Sequence, residues 1–164
     1  MILSKESIAR MKEAAARYPR HKSAVLPALT IACRQVGHLN DDIYEEIGQA
    51  IGVPTVEIAE AATFYTLFPK KPVGKYLVQV CHNISCALLG ADGLVAYLEQ
   101  KLGIKKGETT PDNMFTLVTV ECLGSCATAP MMQINQDYYE NLTRTRVDEI
   151  LERLTQEAHA DRKE

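Results

Sequence analysis

The sequence FTLVTVECLGSCATAP, residues 115–130, joins an alternating pattern of apolar and polar side chains directly to two cysteines. The alternation over Phe115–Val120 predicts a β-strand that leads into Cys122. A second β-rich run, Tyr76–Val80, leads in the same way to Cys81. If the two strands are neighbours, the loops that follow them lie at one end of the sheet, where a rigid scaffold commonly positions functional residues. The two cysteine-bearing loops are therefore predicted to meet.

The segments around these strands complete an α/β pattern. They are a helix over 88–102 that ends at Gly103, a polar loop over 105–113, a short strand over 131–134, a final helix that reaches about Leu154, and a polar, frayed tail over 158–164. Thr145 and Asp148 have the spacing of a capping box at the start of the last helix. The order β-α-β-β-α predicts a compact layer of helices against a small sheet.

The first part of the chain has helical periodicity. Short helices are predicted from Ser4 to about Arg17, from about Ser23 to Gly37, from Asn40 to Gly52 and from Thr55 to Ala62. Such helices with brief turns are typical of a small bundle. Pro69, Pro72 and Gly74 then interrupt regular structure. The predicted fold class is α+β in two parts, with a helical bundle domain over 1–72 and an α/β domain over 73–164.

The composition excludes several classes of protein. Of 164 residues, 46% are hydrophobic and 24% charged, as in an ordinary globular protein. The formal net charge of −3 argues against binding to nucleic acid or to an anionic membrane. No run of apolar residues is long enough to span a membrane. Met1–Arg17 lacks the apolar core of a signal peptide and the acid-poor character of a transit peptide, which predicts a cytoplasmic protein.

Five cysteines without a secretion signal favour thiolate chemistry over disulfide bonds. Four residues separate Cys81 from Cys86 and three separate Cys122 from Cys126, whereas Cys33 stands apart. Two local pairs of thiolates predict a four-ligand metal site. Structural zinc sites most often use tighter pairs, so the spacing favours a [2Fe–2S] cluster, with a structural zinc module as the alternative. No Cys-x-x-Cys occurs, which argues against a thiol–disulfide oxidoreductase and a c-type haem.

Five segments form a specific combination. They are ATFY at 62–65, KPVGK at 71–75, CHNISC at 81–86, ECLGSCATAP at 121–130 and MMQIN at 131–135. In this order they resemble the NuoE-type family, the E subunits of NADH–quinone oxidoreductase (respiratory complex I), and the resemblance extends from about Pro19 to Leu154. Ala127 departs from the pattern, because many of these relatives have glycine there, but it is not a ligand position.

The resemblance implies a thioredoxin-like C-terminal domain with one [2Fe–2S] cluster on Cys81, Cys86, Cys122 and Cys126. It also implies a partner, the flavoprotein subunit that carries FMN and binds NADH, in complex I or in a related NAD-linked hydrogenase or formate dehydrogenase. The chain is then a one-electron carrier, peripheral to the inner membrane through its complex. It needs no catalytic acid or base, because hydride chemistry belongs to the flavin.

Two other observations bear on this interpretation. Gly-x-Gly-x-x-Gly is absent, which argues against NAD binding by this chain. A free-standing thioredoxin-like ferredoxin is a further alternative, but a bare electron carrier needs only one domain. The helical first part of the chain disfavours it.

Side chains beside the cysteines are candidates for tuning the cluster. The small polar residues predicted to donate hydrogen bonds to the sulfurs, or to form turns, are Asn83, Ser85, Ser125 and Thr128. Gly124 is predicted to adopt a positive φ or to allow a close approach of the backbone. Glu121 would lower the reduction potential if it were buried, and would have no such role if it were solvated.

Four further features have plainer interpretations. Cys33 is predicted to be a buried structural thiol on a helix. His82 lies between two ligands but is not needed as a fifth. The aromatic run over 64–68 is predicted to seal the domain junction or to contact a partner, and Lys70, Lys71 and Lys75 form a small solvated basic patch.

Overall fold

The computed structural model describes residues 1–161. The chain divides into two compact units, Met1–Pro72 and Val73–Glu164. The helices of the first unit are α1 (Lys5–Ala16), a 3₁₀ turn (His21–Ala24), α2 (Val25–Val36), α3 (Asp41–Ile51) and α4 (Thr55–Phe64). The elements of the second are β1 (Tyr76–Cys81), α5 (Ile84–Leu88), α6 (Ala91–Leu102), β2 (Phe115–Val120), a 3₁₀ turn (Cys126–Thr128), β3 (Met132–Ile134), β4 (Asp137–Tyr139) and α7 (Arg144–Asp161).

Local sequence signals set the ends of the first helices. The Ser4 side chain accepts a hydrogen bond from the Ser7 N–H at the start of α1, and the Asn40 side chain accepts one from the Ile43 N–H at the start of α3. Gly37 ends α2 in the left-handed conformation, as predicted. The predicted cap of α4, Thr55, is instead the first residue of that helix, because the preceding Pro54 occupies the N-cap position.

The core of the first unit is an apolar cluster that includes fully buried side chains of every helix. Its largest fully buried members are Leu3, Met11, Leu29, Leu39, Ile47, Ile58 and Phe68. Leu26 of α2 has helical spacing with Leu29 and Cys33 but is 40% exposed. The buried stripe is instead Val25, Ala28, Leu29 and Ala32, with the i, i+3, i+4, i+7 spacing of one helical face.

The sheet of the second unit has the strand order β2-β1-β3-β4. β1 and β2 are parallel, with Cys81 opposite Val120, and the other pairs are antiparallel. The parallel pairing confirms that the two strands end side by side. Their inward side chains pack with those of α6 and α7 in one core, which contains Val78, Leu98, Leu117 and Val147.

The second unit also corrects four predictions. The helix expected over 88–102 begins only at Ala91, because Gly90 adopts φ +93° there and separates α6 from a short helix, α5, that was not predicted. β4 was missed, since it is only three residues long and follows a turn at Asn135 with φ +55°. The first turn of α7 is capped by Thr143, whose Oγ1 accepts from the Arg146 N–H at 3.2 Å, and not by the predicted capping box. The expected frayed tail is helical as far as Asp161, and its last residues, 162–164, lie outside the described part of the chain.

The prediction that no segment spans a membrane can be compared with the helices of the structure. α7 is 18 residues long. No helix within residues 1–161, α7 included, combines the length and the apolar character required to cross a membrane.

Asp148 links α7 to α6 in place of its predicted capping role. Its carboxylate lies 2.9 Å from the Lys101 Nζ and accepts hydrogen bonds from the Tyr97 hydroxyl at 2.8 and 2.7 Å. The hydrogen bonds from Lys101 and then Tyr97 lower the pKa of Asp148. A lowered pKa in the folded state stabilises the fold above the pKa of the unfolded state, and this stabilisation is lost as the pH falls through the folded-state pKa.

Asp148→Asn is therefore expected to lower the urea midpoint of the iron-free protein at pH 6. The difference from wild type should shrink at pH 3, below the ordinary aspartate value of 3.8. Urea titrations at both pH values measure this. An equal difference at both pH values would contradict a charge-dependent role.

Candidate metal centre

The four paired cysteines lie at the carboxyl ends of the two parallel strands. Cys81 is the last residue of β1, and Cys86 follows in α5. Cys122 is the second residue after β2, and Cys126 begins a 3₁₀ turn. Cys81 and Cys86 are buried, whereas Cys122 and Cys126 are exposed. Each pair thus occupies one loop, with the first pair inside and the second at the surface.

The sulfur atoms of each pair are neighbours, and the two pairs act on each other. The Sγ atoms of Cys122 and Cys126 are 3.5 Å apart. Burial, followed by a hydrogen bond with Cys81, raises the pKa of Cys86, and the charge of Cys126 adds to this effect. The hydrogen bond and charge of Cys122 raise the pKa of Cys126, and the charge of Cys81 raises it further. Cys86 and Cys126 therefore favour their protonated form, and a metal that binds there displaces their protons.

This donor set fits a [2Fe–2S] cluster. Each iron of such a cluster needs two cysteine sulfurs, and sulfide supplies its other ligands. Among residues 1–161, no group of three or more His, Cys, Asp or Glu side chains is arranged around a single ion. A structural zinc site needs four donors around one ion. Two separate pairs of cysteines match a diiron cluster, in which each iron takes two cysteine sulfurs.

Three donors point at the sulfurs. The Gly124 N–H donates to the Cys122 Sγ at 3.4 Å, and Gly124 has the predicted positive φ, +86°. The Ser85 hydroxyl donates to Cys126 and lowers the pKa of that thiol. The Met131 N–H donates to Cys86 and opposes the rise of its pKa. Sequence analysis missed Met131, because a backbone donor leaves no side-chain signal. Hydrogen bonds to sulfur favour the thiolate and raise the reduction potential of a bound cluster.

Three of the predicted tuning side chains have other partners. Ser125 and Thr128 both donate hydrogen bonds to the Glu140 carboxylate, and Thr128 does so at 2.6 Å. Asn83 caps α5, because its Oδ1 accepts from the Ile84 N–H at 2.9 Å. Of the predicted side chains, Ser85 is the one that donates to a thiol.

Glu121 joins the two cysteine loops at the surface. Its side chain is 78% exposed, and its Oε1 lies 3.7 Å from the His82 Nε2. Its Oε2 accepts a hydrogen bond from the Asn83 Nδ2 at 2.7 Å. The solvated alternative for Glu121 is therefore correct. His82 faces this carboxylate, which agrees with its predicted lack of a ligand role.

Cys33, predicted to be a buried structural thiol, belongs to the first unit and is only half-buried. It packs against the core of that unit, and burial raises the pKa of its thiol. Its Sγ lies 3.9 Å from the Gly37 carbonyl oxygen.

The chain belongs to the thioredoxin-like [2Fe-2S] ferredoxin family, whose model matches residues 11–155. This membership confirms the predictions of a thioredoxin-like fold and of a [2Fe–2S] cluster.

Known relatives agree with the predicted resemblance to the NuoE-type family. The NADH-quinone oxidoreductase E 2 subunit of Rhizobium meliloti (strain 1021) is 52% identical over 87% of this chain and 84% of its own. The NADH-quinone oxidoreductase E subunit of Rickettsia conorii is 43% identical over 92% of both chains. A crystal structure of NAD⁺-reducing [NiFe]-hydrogenase in the air-oxidized state superposes with a TM-score of 0.69 and 26% identity. The match covers 81% of this chain but only 23% of the hydrogenase chain.

Glu121→Gln is expected to raise the reduction potential of the cluster by about 20 mV or less, because solvent screens an exposed charge. A redox titration followed by EPR measures this shift. A rise above about 60 mV, which is a tenfold change in the one-electron equilibrium, would contradict the solvated position of Glu121.

Proposed function

We propose that this chain is the electron-transfer subunit of an NADH-linked oxidoreductase complex and that Cys81, Cys86, Cys122 and Cys126 bind its [2Fe–2S] cluster. The convergence of one buried and one exposed pair of thiols at the ends of β1 and β2 supports this assignment most directly. The names of the relatives, E subunits of NADH-quinone oxidoreductase and an NAD⁺-reducing hydrogenase, support the kind of complex.

The bound cluster supplies one-electron transfer, and this chain's residues hold and shield it. The buried Cys81 and Cys86 would hold the cluster from the interior, where neighbouring side chains exclude water. The exposed Cys122 and Cys126 would hold it from the surface. The site would thus be shielded by the first pair and accessible at the second.

The proposed partner is a flavoprotein subunit that carries FMN and binds NADH. Apolar side chains beside the inner cysteine pair support a protein contact there. Ile84 is 72% exposed, Leu88 82% and Leu89 58%. Exposed apolar clusters commonly mark protein interfaces. Hydride transfer then occurs on the partner, and this chain needs no catalytic acid or base.

We also propose a domain organisation and a cellular location for the protein. Residues 1–72 form a helical bundle domain, and residues 73–164 form the cluster-binding domain. Of the aromatic run, Phe68 lies in the first unit's core, whereas Phe64 and Leu67 are 77% and 47% exposed, as a docking role would require. The protein is cytoplasmic and is held at the inner membrane through its complex.

Reduction by NADH tests this function. The purified, cluster-loaded chain should keep its visible absorbance when NADH is added alone. Adding the FMN-containing subunit from the same source should bleach the absorbance and produce the EPR signal of a reduced cluster. Cys86→Ser serves as the cluster-free control. Reduction by NADH without the flavoprotein, or none with it, would refute the proposed division of labour. Mass spectrometry of co-purifying subunits identifies the host enzyme.

A further inference from the structure

The second cysteine loop, residues 122–130, is held by the segment that follows β3. Three hydrogen bonds from this segment end on carbonyl oxygens of the loop. They run from the Tyr138 hydroxyl to Leu123 at 2.8 Å, from the Asn141 N–H to Thr128 at 2.7 Å and from the Leu142 N–H to Pro130 at 2.9 Å. The loop therefore has partners that do not depend on a metal.

Glu140 makes a further contact with the loop, in which the acceptor is a charged carboxylate and not a neutral carbonyl group. Its carboxylate accepts hydrogen bonds from the hydroxyls of Ser125 and Thr128, one on each side of Cys126. The two hydroxyls, Ser125 first, lower the pKa of Glu140, and the charge of Arg146 contributes. Glu140 thus stays ionised at neutral pH. Hydrogen bonds to a charged acceptor are roughly twice as strong as neutral ones.

The loop needs such support. Cys126–Thr128 is a single 3₁₀ turn, which is too short to be stable alone. The Sγ atoms of Cys122 and Cys126 lie 3.5 Å apart, so two thiolates at these positions would repel each other. A metal site binds well only when surrounding residues fix its ligands beforehand.

We propose that Glu140 is a positioning residue, which fixes the 122–130 loop in its cluster-binding conformation by accepting the hydroxyl hydrogen bonds of Ser125 and Thr128. Glu140 touches no cysteine sulfur in this role and acts through the two residues that flank Cys126. The proposal rests on the proposed function for its consequence, cluster binding, but the conformational role can be measured without iron.

Hydrogen exchange of the full-length, iron-free protein tests the positioning. Glu140→Ala should speed amide exchange in peptides covering 122–142 about tenfold, the factor expected when a hydrogen bond to a charged group is lost. Peptides from β1 and α6 should exchange as in wild type. Glu140→Gln, which keeps an acceptor oxygen, should restore most of the protection. Glu157→Gln removes an exposed carboxylate from α7 and should have no effect.

A second variant removes the same contact by changing its donors in the loop. Ser125→Ala combined with Thr128→Val removes both donors and also the 2.8 Å contact between the two hydroxyls, so it should loosen 122–142 at least as much as Glu140→Ala does. Adding Glu140→Ala to this pair should cause little further change, because all three substitutions break the same contact. Additive effects would overturn the proposal, as would wild-type exchange in Glu140→Ala or a uniform loss of protection over the whole second unit.

Cluster loading distinguishes a failure of this proposal from a failure of the proposed function. After reconstitution with iron and sulfide, Glu140→Ala should load several-fold more slowly than wild type and give a broader EPR signal, and Glu140→Gln should recover both. Equal loading and line shape in all variants would overturn the positioning role. If wild type itself bound no cluster, the proposed function would fail, while the exchange result would still decide whether Glu140 holds the loop.

Discussion

Cys86→Ser is expected to leave the purified protein colourless and without an EPR signal after reduction. Cys86 is one of the two buried cysteines, and serine offers a harder oxygen donor in place of the soft thiolate that iron–sulfur clusters require. Losing a direct ligand should weaken binding by more than the roughly 10- to 100-fold typical of residues that only support ligands. Visible absorbance and iron content per chain measure the effect.

Cys33→Ser is the matched control for this substitution. Cys33 is a half-buried cysteine of the first unit and has no place in the proposed ligand set. The variant should keep the full absorbance and iron content of wild type. A coloured Cys86→Ser protein, or a colourless but folded Cys33→Ser protein, would contradict the ligand assignment. Circular dichroism establishes that each variant is folded.

Gly74→Ala is expected to destabilise the protein by about 3 kcal/mol, within the range for overpacking a buried site. A Cβ on Gly74 would lie 2.9 Å from the backbone of Met114 and Phe115, at the start of β2. The Gly74 N–H also donates to the Thr116 Oγ1 at 2.7 Å. Because backbone atoms cannot move aside cheaply, β1 and β2 must separate. Urea unfolding of the iron-free protein measures the loss.

Gly93→Ala provides a control of opposite sign. Gly93 lies in α6, and a Cβ there would meet no atom within 4 Å. Alanine is the better helix former, so this variant should be more stable than wild type by about 0.5–1 kcal/mol. If Gly74→Ala were as stable as Gly93→Ala, the close packing at the start of the parallel strand pair would be wrong.

The features that sequence analysis predicted correctly are those encoded by neighbouring residues. Ser4 and Asn40 mark helix starts, and Gly37 and Gly52 mark helix ends, because capping depends on one side chain or on a positive φ. The strand Phe115–Val120 is visible in its alternation. The meeting of the two cysteine loops follows from the parallel pairing of adjacent strands.

The missed features depend on residues that are distant in sequence or on the backbone alone. Glu140 is fifteen residues from Ser125, and nothing in either local sequence connects them. Of the two roles predicted for Ser125 and Thr128, donation to sulfur is not seen, because a carboxylate accepts their hydroxyl protons. Asp148 matches a local capping pattern, but its carboxylate instead contacts Tyr97 and Lys101, which are distant in sequence.

The iron and acid-labile sulfide content of the purified or reconstituted full-length protein tests the account most directly. Two iron and two sulfide ions per chain are expected, the composition of one [2Fe–2S] cluster bound by four cysteines. Stoichiometric zinc, or a chain that retains neither iron nor sulfide after reconstitution, would contradict it.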